Sequence, residues 1–424
     1  MVHKIDIMLE DILRISNEWW LKEGISKEKA KPYKRDIFHE LRDLRRERQI
    51  LILTGLRRVG KTTLIYQLIE SLLQGVKAQS ILYFSFDERV EDVITILKKY
   101  GSITGTNWEE ERVYVFFDEI HKLKDWSSKI KILYDNLPNL RITLSASSSL
   151  MIEKSAVKNL AGRYFLREVK PLSLKEFSEL YLDKKIEDME VWRGEVERIF
   201  NQYIKKPFPE IVKWTDEGRI REYIREMVIE KVVKIDLPEV FRNVNIDLLS
   251  SLLKIFMASP GMILNISSLS KDMRVHKLTL EEHIFYLEFS KIIRIIKNYR
   301  PSIMAESRKM KKVYPYHISL THPFYPSLSE GRIFESLVVS ARDLKNYWRE
   351  GVREVDFVKR DKALTPIEVK AKNTIREGDM VNLLKFMKKY DVKKGIVIYK
   401  NSKKRTLKKN SYEIDLIPII DVLS

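Results

Sequence analysis

Nine consecutive residues have the types and spacing that bind phosphate. They fit the pattern G-x-x-x-x-G-K-[ST], in which glycines let the backbone bend around an anion. Lys61 would reach the β- and γ-phosphates, and the hydroxyl of Thr62 would ligate Mg²⁺. The sequence therefore predicts that the chain binds a nucleoside triphosphate, ATP, with Mg²⁺. The predicted contact residues are Gly55, Leu56, Arg57, Arg58, Val59, Gly60, Lys61, Thr62 and Thr63.

The flanking sequence has the elements that such a loop needs. Ahead of the loop, residues 50–53 are uniformly apolar, which favours a buried strand. Behind the loop, apolar residues recur at helical spacing, so a helix would begin at the loop and aim its first N–H groups and its dipole at the anion. The helical positions are Leu64, Ile65, Leu68, Ile69, Leu72 and Leu73.

Hydrolysis requires an acid at the end of a neighbouring strand, and Asp118 and Glu119 meet this requirement. They follow five apolar residues, 113–117, which is typical of a strand buried on both faces. We expect Asp118 to hold Mg²⁺ through water and Glu119 to orient or deprotonate the attacking water. The alternative is a strand that simply ends in solvated acids.

A third predicted strand, residues 141–145, runs into the small residues 146–150. Hydroxyl groups at the carboxyl end of a sheet strand can donate to the γ-phosphate or to the attacking water, and we take Ser147 as the candidate. An ordinary serine-rich turn is the alternative interpretation.

Together these residues resemble the archaeal-type AAA+ ATPases. In that family a basic residue lies within the phosphate loop, and the acid pair continues as Asp-Glu-Ile-His-Lys with a tryptophan shortly after. Ala146 departs from the family's Thr-Gly-Ser-Ser-Ser, which has glycine at that position. The segments that carry the resemblance are Arg57–Arg58, Tyr83–Glu88, Asp118–Lys122 with Trp126, Ser145–Ser149, Leu160–Arg163 and Pro171–Phe177.

The resemblance implies a catalytic role for Arg163. AAA+ enzymes obtain part of their transition-state charge from an arginine, often supplied by the neighbouring subunit. Arg163 would then act in trans in a homo-oligomer, or in cis as a sensor of the γ-phosphate in its own subunit. The sequence leaves both roles open.

Composition limits the class of protein. There are no cysteines, so disulfides and thiolate chemistry are excluded, and no segment has the length and apolarity of a signal peptide or membrane span. We expect a cytoplasmic protein, and 33% charged residues suit a thermophile. The 78 Lys and Arg residues exceed the 60 Asp and Glu residues, giving a net charge of +18. This surplus favours nucleic acid as a partner.

The predicted fold class is α/β, with a parallel P-loop AAA+ sheet, a winged-helix module and a nuclease-like domain. Three predicted helices between residues 247 and 289, followed by a strand at residues 292–296, resemble a winged helix-turn-helix with its base-facing side near Thr279, Glu282 and His283. The alternative is a packing module, because the helix carries several glutamates. The predicted boundaries are 1–34 for a helical arm, 35–177 for the ATPase, 178–237 for a helical lid or connector, 238–312 for the winged helix and 313–424 for the nuclease-like domain.

A second chemical pattern lies near the C-terminus. Asp356, Glu368 and Lys370 are ordered D…E-x-K on two predicted strands, and Glu368 and Lys370 would project from one face. Two carboxylates can hold Mg²⁺ while an ammonium stabilises developing charge, which suits phosphodiester hydrolysis. The pattern resembles the PD-(D/E)xK nuclease core, with Glu335 as its helix acid. Solvated charges on edge strands, or a domain that binds without cutting, are the alternatives.

Basic residues crowd the chain after this pattern and could form a surface for nucleic acid, although a solvated basic face would look the same. The sequence thus predicts an ATPase coupled to a region that acts on or docks to nucleic acid. An ATP-driven regulatory switch and a protein remodeller are the rival functions. The basic residues are Lys372, Arg376, Lys385, Lys388, Lys389, Lys393, Lys394, Lys400, Lys403, Lys404, Arg405, Lys408 and Lys409.

Overall fold

The chain forms two compact units, residues 1–170 and residues 171–424, in a computed structural model. The predicted ATPase boundary at residue 177 therefore lies a short way inside the second unit. The structure describes all residues except 1, 23, 89, 91, 148–158, 303–305, 307–309, 326, 362, 410 and 424.

The first unit is built on a five-stranded parallel sheet with the strand order β2-β3-β4-β1-β5. Strands β1 and β3 are apolar almost throughout because side chains on both of their faces are buried. All five strands run in the same direction, so their carboxyl ends meet at one edge. The strands are β1 (Ile50–Thr54), β2 (Ile81–Ser85), β3 (Val113–Asp118), β4 (Leu140–Ala146) and β5 (Tyr164–Glu168).

Helices connect these strands and pack on the sheet. The helix after β1 begins at Lys61, directly after the phosphate loop, as the sequence predicts. The helices of this unit are α1 (Val2–Ser16), α2 (Ile37–Leu44), α3 (Lys61–Leu73), α4 (Val93–Thr104) and α5 (Trp126–Asn136).

The N-terminal arm closes the open edge of this sheet. The side-chain amide of Asn17 donates to the carbonyl oxygen of Tyr83 at 2.9 Å and accepts from its N–H at 2.7 Å, as a neighbouring strand would. The indole N–H groups of Trp19 and Trp20 both donate to the carbonyl of Ile81, at 3.2 and 2.9 Å. The arm therefore satisfies backbone groups that an edge strand otherwise exposes.

The second unit begins with a helical segment. Its first helix starts with a capping box, in which Ser173 and Glu176 each accept a hydrogen bond from the other's backbone N–H. Its apolar side chains, such as Val196 and Tyr203, share one core with Phe334 and Ile420, so the predicted lid or connector is part of this unit's core. The helices are α6 (Leu174–Leu182), α7 (Arg193–Lys205), α8 (Glu217–Tyr223) and α9 (Leu237–Val240), with π-helical turns at Ile224–Glu230 and Val232–Asp236 between the last two.

Next comes a segment with the order helix, strand, helix, helix, strand, strand. The three helices and the strand that the sequence predicts here are present, and the three strands form an antiparallel sheet in the order β7-β8-β6. The elements are α10 (Ile246–Ala258), β6 (Met262–Leu264), α11 (Ile266–Asp272), α12 (Lys277–Phe289), β7 (Ile293–Asn298) and β8 (Lys311–Pro315).

The remaining residues form a mixed α/β region. Strand β9 pairs in parallel with β7, which joins this region to the preceding sheet, and a second sheet has the order β11-β12-β13-β15-β14. Asp356 separates β10 from β11. The elements are α13 (Glu330–Ala341), β9 (Asn346–Glu350), β10 (Arg353–Val355), β11 (Phe357–Arg360), β12 (Leu364–Lys370), α14 (Val381–Lys389), β13 (Lys394–Tyr399), β14 (Arg405–Lys409), β15 (Tyr412–Pro418) and α15 (Ile419–Leu423).

Candidate functional site

The phosphate loop joins β1 to α3 in a conformation that two glycines permit. Gly55 has φ 145°, and a Cβ there would lie 2.2 Å from the carbonyl oxygen of Val169. Gly60 has φ 95° and directly precedes the first residue of α3. The ammonium of Lys61 donates to the carbonyl oxygens of Gly55 and Leu56, both at 3.0 Å. The loop thus places a buried ammonium and the N-terminus of α3 together.

Arg35 braces this loop from outside the motif. Its guanidinium is buried and donates to the carbonyl oxygens of Val59 in the loop, at 2.9 Å, and of Lys170 beyond β5, at 2.8 Å. The residue therefore ties the loop to the end of the sheet. No local motif marks Arg35, because its partners are distant in sequence.

Thr62 and Asp118 meet at the carboxyl edge of the sheet. The hydroxyl of Thr62 donates to Oδ2 of Asp118 at 2.7 Å. Since its proton is used in that bond, the lone pairs of the Thr62 oxygen remain available to a metal ion. An oxygen ligand next to a carboxylate suits Mg²⁺, so these two residues fit the predicted metal site.

Asp118 is held from several sides. Oδ2 also accepts from the hydroxyl of Tyr83 at 3.1 Å, and Oδ1 accepts from the hydroxyl of Ser145 and from the N–H of Glu119. Burial, with a further contribution from the charge of Glu119, raises the pKa of Asp118. Tyr83 and Ser145 come from the strands on either side of β3, and sequence reasoning gave neither of them a role.

Glu119 is positioned by its backbone and by two neighbours. Its φ of 51° lies in the left-handed region, which is uncommon for a non-glycine residue. Oε2 accepts from the N–H of Ser147 at 3.2 Å and lies 3.2 Å from Nδ1 of His121. Burial opposes its charge, but Lys61, followed by His121 and Arg57, outweighs burial and lowers the pKa of Glu119. Glu119 is therefore ionised and able to accept a proton.

Ser147 lies beside Glu119, and His121 lies next to both residues. The hydroxyl of Ser147 lies 3.4 Å from Nε2 of His121, and Nδ1 of the same imidazole lies near Glu119. The imidazole therefore bridges Ser147 and Glu119. The position of His121, two residues after Glu119, is the feature of the sequence that could have predicted its place in the site. The neighbouring serines 148 and 149 lie outside the described residues.

Arg163 lies at the opposite end of the sheet from the phosphate loop. Its carbonyl accepts from the N–H of Ile50, the first residue of β1, whereas the loop follows the last residue of that strand. The five residues of β1 separate the two levels, or about 17 Å. The guanidinium pairs with Asp135 at 2.9 Å. The cis role is therefore wrong for this arrangement, because the side chain is too far from its own subunit's loop.

In the second unit, Asp356, Glu368 and Lys370 come together. Oδ2 of Asp356 accepts from the N–H of Val369 at 2.8 Å, and the ammonium of Lys370 donates to Oε1 of Glu368 at 2.5 Å. Glu368 is only 5% exposed, and its Oε2 has no hydrogen-bond partner among the described residues. A buried carboxylate oxygen without a partner is costly unless a cation or proton satisfies it.

The helix acid Glu335 lies near this group, and strand β8 adds two side chains that the sequence did not suggest. The hydroxyl of Tyr314 donates to Oε2 of Glu335 at 2.8 Å, and the ammonium of Lys312 donates to Oε1 of Glu354 at 2.5 Å. Burial, with a contribution from mutual repulsion, raises the pKa of Glu335 and of Glu368, and burial also raises that of Asp356. We call Glu335, Asp356, Glu368 and Lys370 the acid cluster.

The acid cluster fits a divalent cation only in part. Its buried, unpaired oxygen and its mutually repelling carboxylates are features that a cation would relieve. However, within the described part of the chain, no three His, Asp or Glu side chains are close enough together to hold a metal ion as they stand. Binding would therefore require adjustment of at least one carboxylate.

His283 does not face outward from α12. It is buried, its Nδ1–H donates to the carbonyl of Thr279 at 2.7 Å, and its Nε2 accepts from the N–H of Asn245 at 2.9 Å. The prediction of a base-facing side that includes His283 is wrong, because this side chain caps the N-terminus of α10.

The basic C-terminal residues are partly neutralised. Those with acidic partners are Lys372, Lys389, Lys393, Lys394, Lys400 and Lys409. For Lys403, Lys404, Arg405 and Lys408 the described residues provide no ion pair, and these four lie on or just before the edge strand β14. We call these four residues the β14 edge; Arg376, Lys385 and Lys388, elsewhere in this region, likewise have no ion pair among the described residues.

Family models match three parts of the chain. Residues 47–178 match the AAA domain, and residues 197–325 and 327–420 match two domains of unknown function, DUF8612 and DUF4143. Together with the parallel sheet and the phosphate loop, the first match supports a P-loop nucleotide-binding domain of the AAA type at residues 47–178. None of the described helices has the length and apolar character of a membrane span.

Individual relatives are distant. An uncharacterized protein of Methanocaldococcus jannaschii is 29% identical over 47% of this chain, and the match spans only 41% of that protein's length. A second from the same organism is 27% identical over 73% of this chain and 69% of its own length. The solved structure of the Aeropyrum pernix ORC1 protein in complex with DNA is 10% identical, with a TM-score of 0.34 over 73% of this chain and 96% of that chain.

Proposed function

We propose that the first unit hydrolyses ATP with Mg²⁺. The observation that carries this proposal is the 2.7 Å hydrogen bond between Thr62 and Asp118, with Glu119 beside it. Thr62 and Asp118 would hold Mg²⁺, and the bound ion would neutralise charge on the phosphates. Lys61 and the first N–H groups of α3 would hold the phosphates in place.

Glu119 would act on the attacking water. Its carboxylate is ionised, and Ser147 and His121 restrict where it points. A base that is oriented before the reaction lowers the barrier to proton transfer. Ser147 would then serve both to aim Glu119 and to contact the γ-phosphate.

The test compares Glu119→Gln with the unchanged protein. Glutamine keeps the shape of the side chain but cannot accept the proton, so we expect turnover to fall by roughly 10² or more while ATP binding is retained. Glu88→Gln is the control, since Glu88 is an exposed acid after β2. Equal ATPase rates in the unchanged protein and in Glu119→Gln would refute this assignment.

A second candidate function belongs to the acid cluster, which we propose hydrolyses phosphodiester bonds in nucleic acid. The convergence of Asp356, Glu368 and Lys370 favours it, as does the buried unpaired oxygen of Glu368. The carboxylates would hold a divalent ion, and the bound ion would activate water. Lys370 would stabilise charge on the phosphate. In this view the helices α10–α12 and strands β7–β8 are a winged-helix module, and the β14 edge contacts the backbone of the nucleic acid.

Cleavage of labelled DNA and RNA with Mg²⁺ or Mn²⁺ tests the second candidate. We expect cleavage by the unchanged protein, none by Asp356→Ala, and full cleavage by the control Asp361→Ala, which changes an exposed acid that pairs with Lys359. Absence of cleavage with intact binding would favour the rival function, an ATP-driven switch whose C-terminal region binds a partner without cutting it.

A further inference from the structure

Two side chains of strand β8 face the acid cluster. Lys312 and Tyr314 stand two positions apart on this strand and therefore project from the same face. Both are buried, Tyr314 completely. Strand β8 pairs with β6 and β7, so it belongs to the helix-and-strand segment that precedes the strands of the acid cluster.

Tyr314 fixes the carboxylate of Glu335. Its hydroxyl donates to Oε2 at 2.8 Å. The ring has little freedom, because it is completely buried and packs closely against Gly261, where any added Cβ would lie only 3.0 Å from the hydroxyl oxygen. A carboxylate held by one fixed hydrogen bond has its other oxygen oriented as well, in the way that hydrogen bonds to metal-binding carboxylates orient them.

Lys312 brings a positive charge to the same place. Its ammonium donates to Glu354 at 2.5 Å and lies 5.0 Å from the centre of the Tyr347 ring. The charge also acts on Glu335 and Asp356, whose ionised forms it favours. Lys312 therefore offsets part of the repulsion among the acids and would equally repel a bound cation.

Glu368 supplies the independent sign of a ligand. Its side chain is only 7% exposed, Oε1 accepts from Lys370, and Oε2 has no partner among the described residues. In the described part of the chain, this buried carboxylate oxygen is therefore available to a ligand.

We propose that Lys312 and Tyr314 are positioning residues of a divalent cation site that Glu335, Asp356 and Glu368 form when at least one of these carboxylates adjusts. Tyr314 orients the carboxylate of Glu335 toward the ion, and Lys312 sets the net charge of the site. The site is then shared between the helix-and-strand segment and the C-terminal sheet. This inference depends on the proposed function of the acid cluster.

Binding of Mn²⁺ to the full chain without nucleotide tests the proposal, followed through the electron paramagnetic resonance signal of free Mn²⁺. The site is defined as the one occupied by the Mn²⁺ ion that the unchanged protein binds and Asp356→Asn does not. We expect Tyr314→Phe to weaken its binding about 10-fold or more. Lys312→Met should strengthen binding several-fold, because a repelling charge is removed. The control Tyr347→Phe, whose hydroxyl donates instead to the carbonyl of Met310 at 2.8 Å, should bind as the unchanged protein does.

The opposite directions separate positioning from loss of structure. A disturbed fold weakens binding whichever residue is changed, so weaker binding by both variants would overturn the inference. Unchanged binding by Tyr314→Phe, with the Asp356-dependent ion present, would also overturn it while leaving the proposed function standing. If the unchanged protein has no Asp356-dependent ion, the proposed function of the cluster itself fails.

Discussion

The hydroxyl of Tyr83 donates to Oδ2 of Asp118 at 3.1 Å, the same oxygen that Thr62 contacts at 2.7 Å. A tyrosine on the neighbouring strand therefore helps to orient the carboxylate that would hold Mg²⁺.

We expect Tyr83→Phe to raise the Mg²⁺ concentration for half-maximal ATP hydrolysis about 10-fold, because hydrogen bonds to metal-binding groups contribute to metal affinity. The maximal rate at saturating Mg²⁺ should change much less. Tyr100→Phe is the control, since that buried hydroxyl donates to the carbonyl of Gln79 and not to Asp118. An unchanged Mg²⁺ requirement in Tyr83→Phe would show that Thr62 and Ser145 suffice.

Lys61→Ala should weaken ATP binding itself. The ammonium is buried in the loop and would contact the phosphates as a charge, which alanine cannot replace. Titration with a fluorescent ATP analogue measures the effect, and Lys77→Ala, a change outside the loop, is the control. Equal affinity in Lys61→Ala and the unchanged protein would mean that the loop does not hold the phosphates.

Arg163→Ala should retain ATP binding and lose most of the hydrolysis if this residue acts on a neighbouring subunit. Its place far from its own loop leaves only that catalytic role. Specific activity should then rise with protein concentration, and mixing Arg163→Ala with Glu119→Gln subunits should restore part of it, because some interfaces regain both groups. Concentration-independent turnover by a protein that light scattering shows to be monomeric with ATP would exclude the role in trans.

Binding of nucleic acid should depend steeply on salt if the β14 edge contacts phosphates. Replacing Lys403, Lys404 and Lys408 with Gln should lower the slope of log affinity against log salt by about 0.7 to 0.9 for each lysine lost. The matched control replaces Lys389, Lys393 and Lys394, which already have acidic partners. Equal slopes for the two triple variants would assign the positive surplus to general surface chemistry.

His317 should make the second unit less stable in acid. Burial lowers the pKa of His317 to about 3, from 6.5 when unfolded, and its ring contacts only Ser319 and Tyr203 through described interactions. The unfolded state therefore takes up a proton below about pH 6.5 while the folded state does not, and stability falls as pH decreases. At about pH 5 the cost is about 2 kcal/mol.

Thermal unfolding at about pH 7 and about pH 5 measures this effect. The loss on acidification should be smaller for His317→Gln than for the unchanged protein, whereas replacing the exposed His39 in the same way should leave it unaltered. An equal loss in His317→Gln would show that other groups control the acid sensitivity.

The parts that sequence predicted are those with local causes. The loop at Gly60 and the acid pair at Asp118 follow apolar strands whose parallel pairing brings their carboxyl ends together. The place of Arg163 could not be predicted in the same way, because it depends on the direction in which β5 joins β1. The proximity of Lys312 and Tyr314 to the acid cluster could not be predicted, because β8 meets the cluster only through tertiary packing. His283 was misassigned because helical spacing alone does not show which face of α12 is buried.

The hydrogen bonds from Asn17, Trp19 and Trp20 to edge strand β2 matter for the choice of boundaries in a shorter fragment of this protein. The AAA match begins at residue 47, yet the hydrogen bonds that finish the sheet come from residues 17–20, and the brace on the phosphate loop comes from Arg35. A fragment limited to residues 47–178 would expose the unpaired edge of β2, and exposed strand edges promote aggregation. Insolubility of such a fragment would therefore reflect a wrongly chosen N-terminal boundary and would carry no information about ATP binding or hydrolysis.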